Sequence, residues 1–95
     1  MVIVYTKKFM EELRNIADFI ALDSRNKADE FSAELKSEIN KIYPMPYRFK
    51  KNEKFDREDT RNLVFKSYTV VFRIAKEQIK ILGIFKNNKH KFSIS

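Results

Sequence analysis

The chain has 95 residues, no cysteine and a formal net charge of +7 at pH 7. This length suits one domain with a modest core, so we expect residues 1–95 to form a single domain. The absence of cysteine excludes disulfides and thiolate metal sites and favours a reducing, cytoplasmic setting. No apolar run approaches the roughly eighteen residues of a membrane-spanning helix, so membrane insertion is not expected.

The positive charge is concentrated in the second half of the chain. Residues 1–40 contain six Lys and Arg against eight Asp and Glu, a balance of −2, whereas residues 41–95 contain fourteen against five, a balance of +9. Such asymmetry is expected of a surface that meets phosphates or an acidic partner. A surface that serves solubility alone is the alternative explanation.

The first residues predict a short strand followed by an amphipathic helix. Residues 2–5 are β-branched and aromatic, which is typical of a strand. Thr6 stands where a helix N-cap belongs. The helix after it should extend to about Leu22, because apolar residues recur at helical spacing: Phe9, Leu13, Ile16 and Ile20.

A second helix should pack against the first. Either Asp23 or Ser24 can cap it, and it should end near Tyr43 because the prolines that follow cannot continue a helix. One apolar stripe runs along it, formed by Ala28, Phe31, Leu35, Ile39 and Ile42. With so few residues between them, the helices should form an antiparallel hairpin whose apolar side requires a sheet to cover it.

Residues 44–60 show neither a helical nor a strand period. A connection of this length in a compact domain is usually functional or disordered. Its aromatic and basic residues interleave, a mixture that suits base stacking combined with phosphate contact. We therefore regard Arg48, Lys50 and Lys51 as candidate contacts to nucleic acid or to a partner. The alternative is a loop whose aromatic side chains cover the core while its lysines stay in water.

Residues 61–86 predict three consecutive strands of an antiparallel meander. Together with the first strand and the hairpin, this gives an α+β fold with the helices packed on one sheet face. Strict alternation sends Ile79, Ile81, Gly83 and Phe85 of the last strand to that face. The opposite face should then be an apolar strip rimmed by cations: Val64, Val71, Leu82 and Ile84 with Lys66, Arg73, Lys80 and Lys86.

An exposed strip of this kind usually marks a partner site, which makes Val71, Leu82 and Arg73 candidate contacts. The assignment of faces depends on the register, because a bulge would exchange them.

The order of these elements resembles the RelE/ParE superfamily of type II toxin–antitoxin toxins, also called plasmid-stabilisation proteins. The resemblance covers nearly the whole chain. It includes the stretch Arg-x-Leu-x-Phe-Lys-x-Tyr-x-Val-x-Phe-Arg-Ile from Arg61 and Ile-x-Ile-Leu-Gly-Ile-Phe from Ile79. It implies a growth-arresting α+β toxin that is held silent by an acidic antitoxin wrapping its sheet and helices.

The superfamily implies one of two activities. RelE-type members are ribosome-dependent mRNA endonucleases, whereas ParE-type members bind DNA gyrase and perform no chemistry of their own. Cleavage of mRNA requires a base for the ribose 2′-hydroxyl, cations for the developing phosphate charge and an acid for the leaving oxygen. A lysine can be that base only if neighbouring cations lower its pKa.

The resemblance carries some RelE-type positions onto this chain. Lys66 falls where these enzymes place a phosphate-binding arginine, and Lys50 or Lys51 falls near their basic loop residues. Asn87 stands about where a further arginine is expected, and no tyrosine follows Tyr68. Two catalytic groups are therefore missing or displaced.

The catalytic candidates that remain are Lys66, Lys86 and His90. A lone histidine among lysines is more often simply solvated. Arg61, Arg73 and Lys89 could grip phosphate, although each arginine could equally pair with a carboxylate at the surface, for little energy.

Three hypotheses follow. The first is a ParE-like toxin that inhibits gyrase by binding, which the depleted catalytic set and the hairpin slightly favour. The second is a RelE-like mRNA endonuclease, and the third is a non-toxic basic module that binds nucleic acid or an acidic protein. No Gly-rich phosphate loop or metal-binding cluster is present in the sequence, so no cofactor is expected. The expected partners are an acidic antitoxin and either gyrase or the ribosome with mRNA.

Overall fold

Two helices and a mixed five-stranded sheet make up residues 1–87, the part of the chain that this computed structural model describes. A 3-10 turn at Pro46–Arg48 lies in the connection between the second helix and the later strands. In chain order the elements are β1 (Val2–Tyr5), α1 (Lys7–Ala21), α2 (Arg25–Asn40), β2 (Lys50–Lys51), β3 (Thr60–Phe65), β4 (Tyr68–Ala75) and β5 (Gln78–Lys86).

Side-chain caps start both helices. The Thr6 hydroxyl accepts a hydrogen bond from the amide of Phe9 at 3.3 Å, and the Ser24 hydroxyl accepts one from Lys27 at 3.2 Å. These bonds satisfy amides that have no partner within the helix. The cap of α2 is therefore Ser24 rather than Asp23, and the helix ends at Asn40, slightly before the predicted boundary.

The sheet has the order β1-β5-β4-β3-β2. The predicted meander of β3, β4 and β5 is antiparallel, and β1 pairs in parallel with β5, with Ile3 opposite Ile79. The chain between β1 and β5 contains the helical hairpin and the other three strands, so it is long enough for the crossover that a parallel pair requires. The sequence did not reveal β2, whose residues Lys50 and Lys51 lie opposite Asn62 and Arg61 of β3.

The hydrophobic core lies between the hairpin and one sheet face, as predicted. The helical residues Phe9 and Leu35 and the strand residues Val70, Phe72 and Ile79 are all fully buried in it. The rings of Phe49 and Phe72 pack edge to face with a centroid distance of 5.5 Å. An aromatic residue of the connection therefore packs against the core.

A β-bulge in β5 corrects the predicted faces of the last strand. Val71 lies opposite Gly83 but Phe72 lies opposite Ile81, which leaves Leu82 as the extra residue. Beyond the bulge the alternation is reversed. Ile84 therefore packs in the core with 3% exposure, and Phe85 faces the opposite side with 51% exposure. The predictions that placed Ile84 outside and Phe85 inside were wrong for this reason.

The bulge brings β5 against a carboxylate of α1. The amide of Ile84 donates to Glu12 Oε1 at 2.9 Å. A Cβ atom on Gly83 would lie 2.8 Å from the same oxygen, closer than real Cβ contacts occur. Gly83 is the single glycine of the sequence, and at this position it leaves room for the Glu12 side chain beside the strand.

Replacing Gly83 by alanine should lower the free energy of unfolding by about 1 kcal/mol, because the new methyl group displaces Glu12 from the Ile84 amide. In a Glu12→Ala background the same change should be neutral or stabilising, because Gly83 has no positive φ and alanine restricts the unfolded chain more than glycine does. Urea unfolding of the single and double variants measures both effects. Equal losses in the two backgrounds would contradict the proposed contact.

Candidate functional site

The sheet face opposite the helices, called here the open face, contains a groove of about 670 Å³. Its apolar lining comes from side chains of the connection, β4 and β5: Phe55, Val71, Leu82 and Phe85. Four lysines also line it, namely Lys8 from the start of α1, Lys50 and Lys51 from β2, and Lys54. The groove thus combines an apolar strip with lysines, although the carboxylates of Glu12 and Glu53 line it as well. Its lysines are not the rim cations that alternation along the meander predicted, because Lys66, Arg73, Lys80 and Lys86 do not line it.

The lysines differ in their charged neighbours. Lys8 Nζ lies 2.7 Å from Glu12 Oε2, and Lys51 Nζ lies 3.6 Å from carboxylate oxygens of both Asp56 and Glu58. Within residues 1–87, no carboxylate lies within salt-bridge distance of Lys50 or Lys54. Their charges are therefore available to an acidic partner.

A buried asparagine shapes the segment that presents Lys54 and Phe55. Asn52 is 6% exposed, and its amide group donates to Asn62 Oδ1 of β3 at 2.8 Å. Its side-chain oxygen accepts from the amide of Phe55 at 3.1 Å. Sequence reasoning did not single out this residue, although asparagine commonly bonds to backbone groups in turns.

Arg61 holds the connection against the sheet. Its guanidinium donates to the carbonyl oxygens of Tyr47, Phe49 and Glu58 at 3.2, 3.0 and 2.9 Å. It also lies 2.8 Å from Glu58 Oε1, and its side chain is only 12% exposed. The predicted contact of Arg61 with phosphate or a partner stays a prediction, while the bonds in this structure give it a positioning role.

Arg73 belongs to a second polar cluster, which lies at the start of β3 next to Arg61. Its Nε donates to Thr60 Oγ1 at 3.1 Å and lies 4.0 Å from Asp59 Oδ1. Arg57 binds both oxygens of Asp59, at 2.9 and 2.8 Å. The hydrogen bond from Arg57 is the main reason that the pKa of the Asp59 carboxyl lies below its ordinary value, with smaller contributions from Thr60 and Arg73.

The remaining binding candidate of the connection, Arg48, donates to the carbonyl oxygen of Lys41 at 2.8 Å. Its guanidinium carbon lies 4.1 Å from the ring centroid of Phe49, within the range of a cation–π contact.

Of the candidates for RNA cleavage, Lys66 lies at the turn between β3 and β4. Lys66 follows β3 with a φ of 54° and its Nζ is 2.9 Å from Glu34 Oε1 of α2. Lys86 is exposed at the end of β5, opposite Tyr68. His90 and Lys89 lie outside the described residues.

Asn87, which stands about where the resemblance called for an arginine, is held by the sheet. Its side-chain Oδ1 accepts a hydrogen bond from Thr69 Oγ1 at 2.6 Å, and its backbone amide donates to the carbonyl oxygen of Ser67 at 2.8 Å. The side chain is thus engaged within the fold.

Residues 1–87 contain no cluster of three or more His, Cys, Asp or Glu side chains arranged to hold a metal ion. Neither α1 nor α2 has the length and apolar composition needed to cross a membrane.

The strand order β1-β5-β4-β3-β2 with a helical hairpin on one face defines a class of small α+β proteins. A chain described as "Chromosomal ParDE TA system from P. aeruginosa" superposes with a TM-score of 0.76 at 19% identity, covering 93% of this chain and 97% of that chain. A family model described as the ParE toxin of the type II toxin–antitoxin system, parDE, matches residues 3–90. No curated protein matches the chain.

The chain therefore belongs to the ParE toxin family of type II toxin–antitoxin systems. The predicted superfamily and the predicted fold class are both confirmed. ParE-type toxins inhibit DNA gyrase, and a ParDE system implies a cognate ParD antitoxin as the partner of the toxin.

Acid should destabilise the fold partly through Asp59. An unfolded Asp has a pKa of about 3.9. Because the folded pKa lies lower, the carboxylate contributes stability above that value, and the contribution is lost as the pH falls through the folded pKa. Stability measured by urea unfolding below about pH 4 should fall less steeply for Asp59→Asn than for the wild type. Asp29→Asn, on an exposed position of α2, is the control and should follow the wild type; identical profiles for all three proteins would refute this role.

Proposed function

We propose that this chain arrests bacterial growth by binding DNA gyrase, and that an acidic ParD-type antitoxin silences it by covering the open face. The match of residues 3–90 to the ParE family carries the proposal. Gyrase inhibition through binding requires no catalytic group, so it is compatible with a chain that lacks parts of the RelE-type set.

The surroundings of the candidate catalytic residues support binding over cleavage. The charged neighbour of Lys66 is the carboxylate of Glu34 rather than a second cation. A lysine that acts as a base requires the opposite environment. Asn87 has no proton-transfer chemistry, and its side-chain oxygen is bonded to Thr69.

The alternative activity, ribosome-dependent cleavage of mRNA, draws on the cations near the end of the sheet. Lys66 and Lys86 lie close in the strand register. Phe65, which precedes Lys66, pairs with Tyr68, and Tyr68 pairs with Lys86. Lys89 and His90, which lie outside the described residues, are the other candidates from the sequence, and the test below includes His90.

The antitoxin part of the proposal depends on charge complementarity. The groove is lined by four lysines, and two of these have no carboxylate partner within residues 1–87. An acidic segment with apolar side chains would satisfy the cations and cover the apolar strip at the same time. Electrostatic complementarity of this kind sets the rate and specificity of association.

Purified gyrase should lose its ATP-dependent supercoiling activity on a relaxed plasmid when this chain is added. The variant Lys66→Ala/Lys86→Ala/His90→Ala should inhibit gyrase and arrest growth nearly as well as the wild type, because none of these groups performs chemistry under the proposal. Circular dichroism confirms that the variant is folded. Loss of toxicity in a folded triple variant, with cleaved mRNA in cells expressing the wild type, would establish the endonuclease instead.

Reversing two lysines of the groove, as Lys50→Glu/Lys54→Glu, should weaken binding of the ParD-type antitoxin encoded beside this gene by roughly tenfold. The matched control Lys36→Glu/Lys76→Glu makes the same charge change at two exposed lysines outside the groove lining and should bind nearly as the wild type does. Calorimetric titration at two salt concentrations measures both, and the wild-type affinity should fall with salt. Equal weakening by the two double variants would show that net charge, not the groove, determines binding.

A further inference from the structure

The strand β5 extends beyond its neighbour β1. The parallel pairing of β1 ends where Tyr5 meets Ile81, yet β5 continues to Lys86. Along residues 82–86, one edge of β5 therefore has no strand beside it in the part of the chain that the structure describes. A free strand edge presents backbone amides and carbonyls that can pair with another chain.

Side chains from the start of α1 occupy the backbone groups of this edge. Thr6 Oγ1 donates to the carbonyl oxygen of Ile81 at 2.7 Å and also lies 3.3 Å from that of Leu82. Glu12 Oε1 accepts from the amide of Ile84 at 2.9 Å, while Lys8 binds the other Glu12 oxygen. The Glu12 carboxylate thus fills the place of a strand carbonyl.

The bond between Glu12 and Ile84 is open to competition. The Glu12 side chain is 32% exposed, and both residues line the groove of the open face. A side chain with several rotatable bonds can move away without disturbing the helix, whose buried residues Phe9 and Leu13 anchor it in the core. An incoming backbone carbonyl could then accept the same hydrogen bond.

We propose that the edge of β5 at residues 82–86 binds an extended segment of the acidic antitoxin, whose backbone carbonyl replaces the Glu12 carboxylate on the Ile84 amide. This inference depends on the function proposed above. The groove beside the edge specifies the chemistry of the segment: an apolar side chain lies on Leu82 and Phe85, and an acidic side chain meets the Lys8 ammonium that Glu12 releases.

The proposal makes Glu12 an internal competitor of the antitoxin. The free toxin holds a hydrogen bond that the complex lacks, so removing this bond should favour the complex. Glu12→Ala removes both the acceptor and the negative charge, whereas Glu12→Gln removes the charge but retains an acceptor. Comparison of the two variants separates competition for the amide from simple electrostatics.

Calorimetric titration of the full chain with the antitoxin protein tests this prediction. Glu12→Ala should bind about three- to tenfold more tightly than the wild type, as expected for loss of a competing charge-assisted bond, and more tightly than Glu12→Gln. Glu11→Ala, which removes an exposed carboxylate one residue away, is the charge control and should bind less tightly than Glu12→Ala. Equal tightening by all three variants would reduce the effect to electrostatics and overturn the proposal.

Amide hydrogen exchange gives a second readout that does not need Glu12→Ala, which could fold poorly. It compares the wild type with Glu12→Gln. In the free protein, the Ile84 amide should exchange faster in Glu12→Gln than in the wild type. In the antitoxin complex it should be equally protected in both proteins, because a backbone carbonyl then holds it. Weaker protection of Glu12→Gln in the complex would mean that Glu12 keeps the amide, which overturns the edge site while antitoxin binding stands. Absence of any antitoxin binding would instead reject the antitoxin part of the proposed function.

Discussion

The bulge at Leu82 decides how the two faces of the sheet are divided. Without it, Phe85 would point into the core and Ile84 would lie on the open face. With it, the core receives Ile79, Ile81 and Ile84 from one strand, and the open face receives Leu82 and Phe85. Gly83 directly follows the extra residue, where the absence of a Cβ admits the Glu12 carboxylate. Core packing, the groove lining and the capped edge of β5 thus depend on one extra residue.

The basic residues of the second half of the chain divide into two groups by their chemistry. Arg61 and Arg73 use their several donors to hold carbonyl and hydroxyl oxygens within the fold. A planar guanidinium suits such work better than an ammonium does. Lys50 and Lys54 instead extend into the groove without a carboxylate partner in residues 1–87. Arg61 and Arg73 therefore serve the fold, whereas Lys50 and Lys54 present their charges to a partner.

The periodic elements could be predicted from the sequence because each repeats a pattern over several residues. Both helices and the meander are examples. The N-cap of α1 could be predicted for another reason, because Thr6 directly precedes the first helical repeat. The two-residue strand β2 is too short to have a period. The bulge leaves no signal in an alternating apolar strand except Gly83, and the interpretation of that residue depends on knowing where Glu12 lies.

In the candidate site, too, some residues follow from local sequence patterns and others depend on contacts that form only in the fold. Alternation along β4 correctly placed Val71 on the open face, and the interleaved lysines marked the connection. The role of Asn52 depends on hydrogen bonds to Asn62 and to the Phe55 amide, and no local pattern encodes them. The charge of Arg61 makes it a candidate contact. Its hydrogen bonds to three carbonyl oxygens, however, depend on how residues 47–58 pack against β3. Whether Lys66 can act as a base depends on its neighbour Glu34, which lies 32 residues away in the sequence and approaches it only in the fold.

Growth arrest through gyrase can be tested in living cells. It is tested most directly by inducing the chain in bacteria and pulse-labelling DNA and protein synthesis over the first minutes. If gyrase is the target, DNA synthesis stops first while translation continues. An immediate stop in translation, with DNA synthesis continuing, would exclude gyrase as the primary target and would make Lys66, Lys86 and His90 candidates for an active site.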